Sequence, residues 1–184
     1  ERQGVILESK TRIGSTLRNI VVASLFIAIS VTLGKALESV PNIELISFSV
    51  WMSSYILSKK YSMVVGILSF SIYSVLSPYG IAPLPLLASQ AIGGGLIGFF
   101  GGSFIKSKKV SYIGYMLFGF VLTFVYDLIT NLGGFIAFSE NSSTLIVYLI
   151  GGLTFSIVHI VCNSAVFMLL TPLMKKTIDK IYKA

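Results

Sequence analysis

Six long apolar runs constrain the fold of this chain more than any other feature of its sequence. They follow one another through residues 18–174, separated by short polar connections, and only 11% of the chain is charged, against about 25% in a typical soluble domain. Each run is close to or above the roughly 17 residues that a helix needs to cross a bilayer. The sequence therefore predicts an all-α integral membrane bundle of six transmembrane helices, over residues 18–34, 43–58, 61–77, 84–105, 110–138 and 144–174.

The lysines and arginines set the predicted orientation of this bundle. Among the 14 basic residues, only Lys35 falls in a connection on one side, and all the others fall on the opposite side. Because short segments rich in lysine and arginine stay in the cytoplasm, both termini are predicted to be cytoplasmic. They form an N-terminal tail of residues 1–17, partly an interfacial helix, and a basic tail of residues 175–184. The net charge of +7 is thus assigned to membrane orientation and not to nucleic acid.

Several signatures of enzymes and metal proteins are absent from the sequence. There is no P-loop, so the chain is not predicted to hydrolyse ATP, and there is no HExxH pattern of a metalloprotease. A single cysteine, Cys162, excludes a disulfide within the chain, and no cysteine and histidine spacing predicts a metal or cofactor. The two halves show no clear internal repeat, which weakens the case for a stand-alone transporter built from repeats.

Two pairs of polar residues interrupt the fifth and sixth apolar runs. Asp127 and Asn131 are four residues apart, as are His159 and Asn163, so each pair shares one face of its helix. Ionisable residues at bilayer depth are costly and mark candidate functional sites. The two pairs therefore predict a polar site inside the bundle.

Counting residues along each run places this site in the outer half of the bundle. At about 1.5 Å per residue, Asp127 lies past the midplane and His159 lies near it. Further polar residues accompany them, with Gln90 in the outer third of the fourth run and Asn42, Glu44 and Tyr79 at the outer rim. These positions together predict a pocket that opens to the outside.

Structural roles are the alternative for the same residues. Asp127 and His159 could pair with each other only, Gln90 and Asn163 could join helices through hydrogen bonds, and Glu44 could be exposed at the rim. In the first run, Ser24 and Ala28 lie four residues apart and permit a close helix approach, either within the chain or with another membrane subunit.

At this point the sequence resembles the substrate-binding (S) components of energy-coupling factor (ECF) transporters, a resemblance that covers nearly the whole chain. Six short-looped spans in under 200 residues fit that family. The stretches that carry it are residues 41–45, residues 78–80 with 83–90, residues 126–131, and the pair His159 and Asn163. The small residues of the first run resemble the alanine-rich surface by which the family contacts its coupling subunit, although Ser24 stands where alanine is usual.

The resemblance implies the uptake of a vitamin or related micronutrient across a prokaryotic plasma membrane. The chain would capture its substrate from outside and would depend on a transmembrane coupling subunit and two cytoplasmic ATPase subunits. Ser24 and Ala28 would contact the coupling subunit. The micronutrient stays open, with cobalamin and pantothenate among the options. The implied substrate contacts are Gln90, Asp127, Asn131, His159 and Asn163, with Asn42, Glu44 and Tyr79 as rim or lid contacts.

Two other function classes compete with this interpretation. One is a stand-alone small secondary transporter or channel. The other is an intramembrane enzyme with Asp127 and His159 as acid and base. Transport that needs separate ATPase subunits favours the ECF interpretation, transport by the chain alone favours the first competitor, and turnover of a lipid substrate favours the second.

Overall fold

The computed structural model describes residues 2–40, 42–104, 110–139 and 144–183. These residues form six helices and no strand, which confirms the predicted all-α membrane bundle. Four of the helices contain stretches long and apolar enough to cross a membrane, namely Gly14–Ala36, Leu84–Gly102, Tyr112–Phe138 and Leu145–Ile181. The helices are α1 (Arg2–Ala36), α2 (Ile46–Ile56), α3 (Lys59–Val75), α4 (Leu84–Phe104), α5 (Tyr112–Phe138) and α6 (Leu145–Lys183).

Helix α2 is shorter than the predicted span at residues 43–58. It has 11 residues, so it is about 16 Å long, roughly half the thickness of the hydrocarbon core. Every residue from Ile46 to Ser54 is buried, because α1, α3, α4 and α6 all contact this helix. The short helix therefore lies at the centre of the bundle and is shielded from lipid.

The start of α2 explains why the helix is short. Asn42 has a positive φ of 61°, and residues 43–45 continue without helical structure. The carboxylate of Glu44 then accepts a hydrogen bond from the backbone N–H of Ser47 at 2.8 Å, which satisfies a donor that the first helical turn leaves free. This connection brings Glu44 inside the bundle, although the sequence predicted it at the outer rim.

Helices α3 and α4 approach each other at backbone distance. A Cβ atom added at Gly66 would lie 2.0 Å from the carbonyl oxygen of Gly94, and one added at Gly98 would lie 2.0 Å from that of Ser62. Only glycine permits such a separation of two helices. The glycine-rich fourth run is therefore a packing surface within the chain.

Both ends of the chain are helical where they are described. Helix α1 begins at Arg2, so it continues through most of the predicted N-terminal tail, and α6 runs through the basic tail to Lys183. Tyr55 at the end of α2 donates a hydrogen bond to Asp179 of α6. This bond holds the C-terminal part of α6 against α2. We call this end of the bundle the lysine-rich end, and it is defined by Lys59, Lys60, Lys175 and Lys176. The predicted lysine group at residues 106–109 and Pro41 lie outside the described residues.

Candidate functional site

A buried polar cluster joins α5, α6 and the connection before α2. His159 Nδ1 lies 2.7 Å from Asp127 Oδ1, and His159 Nε2 lies 3.5 Å from Glu44 Oε1. The amide of Asn163 donates to Glu44 Oε1 at 3.0 Å and to Thr123 Oγ1 at 3.3 Å. One imidazole therefore stands between two carboxylates, and one amide holds the second carboxylate in place.

Helical spacing positions four of these five side chains. Thr123 and Asp127 are one turn apart on α5, and His159 and Asn163 are one turn apart on the facing side of α6. Asp127 is 7% exposed, His159 9% and Asn163 0%. Each of these side chains has at least one polar partner, which offsets the cost of burial, while Asp127 Oδ2 and Asn163 Oδ1 are buried without a hydrogen-bond partner among the described residues.

The partners of the ring define what the cluster can do with a proton. The Nδ1–H group of His159 donates a hydrogen bond to the carboxylate oxygen of Asp127. Nε2 faces both the Asn163 amide nitrogen at 3.0 Å and the Glu44 carboxylate. Without a proton, Nε2 accepts from the amide, and with a proton it faces Glu44. The site can therefore hold one additional proton between α6 and the connection before α2.

A cavity of about 190 Å³ extends from this cluster to the surface. His159 and Glu44 line it at depth, and Val40, which is 42% exposed, lines it at the end of the bundle opposite the lysine-rich end. Its walls come from the C-terminal end of α1, the connection before α2, and residues of α3, α5 and α6. They include Gly34, Leu37, Glu38, Asn42, Ile43, Ile46, Phe70, Tyr73 and Tyr126.

The predicted site residues fall into two groups in the structure. Glu44, Asp127, His159 and Asn163 form the cluster, so three members of the two predicted helical pairs converge, whereas Asn131 does not join them. Asn42 lines the cavity at the connection. The part of these residues in ligand binding stays a prediction.

Three other predicted contacts lie away from the lining of this cavity. Asn131 is one turn further along α5, where its amide donates to Ser156 at 3.3 Å. Tyr79 is 89% exposed in the connection between α3 and α4. Gln90 lies on α4, and its Oε1 atom is buried without a hydrogen-bond partner among the described residues. Counting residues along a helix estimates the depth of a side chain, but it does not show which way the side chain faces.

Sequence reasoning missed several residues that the structure adds to the site. Thr123 is four residues before Asp127, so the same helical spacing could have identified it. Glu38, Phe70 and Tyr73 carry no comparable signal, because they reach the cavity only through the packing of α1 and α3.

The cluster is not arranged as a metal centre. Asp127 and Glu44 lie at opposite nitrogens of the imidazole ring, so the three groups do not converge on one point. Throughout the described ranges, no group of three or more histidine, cysteine, aspartate or glutamate side chains could hold a metal ion.

Comparisons with protein-family models, with curated proteins and with solved structures found no match to this chain.

Proposed function

We propose that this chain is the membrane-embedded substrate-binding subunit of an ECF-type transporter, which captures a vitamin or related micronutrient from outside the cell. The observation that carries the proposal is the cavity that leads from the surface to the partly buried Glu44 and the buried His159, behind which lies Asp127. A concave site with apolar walls and a few placed polar groups is typical of small-molecule binding. Separate coupling and ATPase subunits would then supply the energy for uptake.

A groove on the surface of α1 supports the requirement for a partner subunit. It has a volume of about 400 Å³ and is lined by Ser24, Ile27, Ala28, Val31 and Thr32 of α1 together with Ile72 of α3. Ser24 and Ala28 are both exposed, and small side chains allow another membrane helix to approach closely. This groove is the proposed contact for the coupling subunit.

Native mass spectrometry of the gently purified chain tests the capture function. A small molecule that travels with the chain would identify the substrate. Uptake of that molecule into liposomes should then require the coupling and ATPase subunits together with ATP. Absence of any bound small molecule, under conditions that preserve the folded bundle, would contradict the proposal.

A proton-coupled secondary transporter is the second candidate, and the cluster around His159 is the observation that favours it. Protonatable residues inside a bundle are typical of proton pathways in transporters. Uptake by the chain alone in liposomes with an imposed proton gradient would establish this candidate and contradict the first one.

Replacement of Asp127 by asparagine is expected to weaken binding of the co-purifying molecule about 10- to 100-fold, as expected for loss of a charge-assisted hydrogen bond. Asparagine has nearly the same shape, so the bundle should stay folded while His159 loses the carboxylate that orients its ring. Isothermal titration calorimetry measures the affinity, and circular dichroism verifies the fold.

Asn131→Ala is the matched control for this substitution. It removes a polar group one turn further along α5, outside the cavity, and should leave the affinity within about twofold. Unchanged affinity in Asp127→Asn would limit Asp127 to a structural role. Equal losses of affinity in the two variants would show that the ligand does not bind in the cavity.

A further inference from the structure

The walls of the cavity carry aromatic rings of a kind that attract positive charge. Phe70, Tyr73 and Tyr126 all line it, and the rings of Phe70 and Tyr126 are 4.9 Å apart between centroids. The face of an aromatic ring is electrically negative, so it attracts a cation placed within about 6 Å of its centre. This attraction is stronger in a site shielded from water.

The chain already places one of its own ammonium groups against this wall. Lys35 Nζ lies 4.6 Å from the centre of the Tyr73 ring and 2.7 Å from a carboxylate oxygen of Glu38. Tyr73 and Glu38 both line the cavity. A ring and a carboxylate at this end of the cavity therefore suffice to hold an ammonium group.

Ionisable groups deeper in the cavity leave an excess of negative charge. Lys35 neutralises the carboxylate of Glu38. Two further carboxylates remain, Glu44 in the lining and Asp127 behind His159. Even with a proton on both ring nitrogens, His159 balances only one of these two carboxylates. Among the described residues that line the cavity there is no lysine or arginine. An anionic ligand would thus meet the partly buried carboxylate of Glu44 without a cation to balance the two negative charges, which is unfavourable.

We propose that the cavity takes a small organic cation, whose positive charge lies against Glu44 and the rings of Tyr73 and Tyr126. This inference rests on the proposed function, because it assigns a charge class to the substrate that the chain captures. Lys35 itself does not line the cavity, so its contact with Tyr73 shows only that this ring accepts an ammonium group. The ligand class comprises protonated amines, quaternary ammonium ions and cationic heterocycles.

Probes that share a skeleton but differ in charge test this assignment directly. One set consists of choline, its neutral carbon analogue dimethylbutanol, and the anion dimethylbutyrate. The other set consists of benzylamine as its cation, benzyl alcohol and benzoate. In each set that binds, the cation should bind at least about tenfold more tightly than its neutral analogue, as expected for a desolvated cation–π contact beside a carboxylate. The anion should bind most weakly.

Substitutions at three positions connect the charge preference to the named residues. Glu44→Gln should reduce the affinity for the cation about tenfold and leave that for benzyl alcohol unchanged, since glutamine can still accept the bond from Ser47. Tyr73→Leu should weaken cation binding several-fold, whereas Tyr73→Phe, which keeps the ring, should not. Lys35→Met should tighten cation binding, because it leaves the Glu38 carboxylate, which lines the cavity, without its ammonium partner. This last variant keeps the test decisive even if Glu44→Gln does not fold.

Two results would overturn the charge assignment. One is a neutral or anionic probe that binds as tightly as the cation of its set, and the other is a folded chain that binds neither cation. If the co-purifying molecule is itself neutral or anionic, the assignment fails while the capture function stands. If no small molecule binds at all, the proposed function fails as well.

Discussion

Replacement of His159 by leucine is expected to lower the free energy of unfolding by about 3–5 kcal/mol, the range measured when one partner of a buried ion pair is removed. Two carboxylates depend on this ring, Asp127 at Nδ1 and Glu44 at Nε2. Leucine is of similar size, but it offers no donor to either group. Thermal unfolding in a mild detergent, followed by circular dichroism, measures the loss.

A double-mutant cycle separates this electrostatic effect from a change in packing. In the presence of His159→Leu, the further change Asp127→Asn should stabilise the bundle, because it removes a buried charge that has no partner. In the parent chain, the same change should destabilise the bundle. Equal and additive costs in both backgrounds would show that the His159–Asp127 contact at 2.7 Å contributes little to stability.

Alanine at Gly98 is expected to destabilise the bundle by about 3 kcal/mol, at the upper end of the range for overpacking. The added methyl group would lie 2.0 Å from the carbonyl oxygen of Ser62, a backbone atom that cannot rotate away. Helices α3 and α4 must then separate. Because Gly93 of α4 also packs against the ring of Tyr126, the separation should disturb the aromatic wall and weaken ligand capture.

The chain offers a matched control in Gly151 of α6. A Cβ atom there meets nothing within 4 Å, so Gly151→Ala should stabilise the helix by roughly 0.5–1 kcal/mol through its better helix propensity. Denaturation of the two variants under the same conditions provides the comparison. If Gly98→Ala were as stable as Gly151→Ala, the backbones of α3 and α4 would not approach each other closely at Gly98 in the folded protein.

The helical character of the chain could be predicted because it depends on properties that accumulate along the sequence. The lengths of the apolar runs predicted the positions of the helices. Most predicted boundaries of α3 to α5 lie within a few residues of those observed. The convergence of Asp127 with His159 and Asn163 also followed from spacing, since residues four apart share one face of a helix. Each of these inferences needed only local information.

The remaining part of the site depends on packing between distant segments, which spacing does not encode. Glu44 looked like a rim residue because it begins an apolar run, yet the non-helical connection at residues 42–45 brings it to His159. Glu38 follows the end of α1 and Tyr73 belongs to α3, so only the packing of these two segments brings both residues to the cavity. Asn131 and Gln90 failed to join the lining because helix rotation, not depth, decides which side chains face the cavity.

The central position of α2 has a consequence for how the protein is made. A helix of 11 residues is too short to cross a bilayer as an independent unit, and α2 also carries the four hydroxyl groups of Ser47, Ser49, Ser53 and Ser54. Within the bundle the hydroxyl groups of Ser49, Ser53 and Ser54 bond to carbonyl oxygens of the preceding turn, and neighbouring helices replace the lipid. Insertion of α2 must therefore accompany assembly with the later helices, so the cavity at Glu44 and His159 is completed only after α6 has been synthesised.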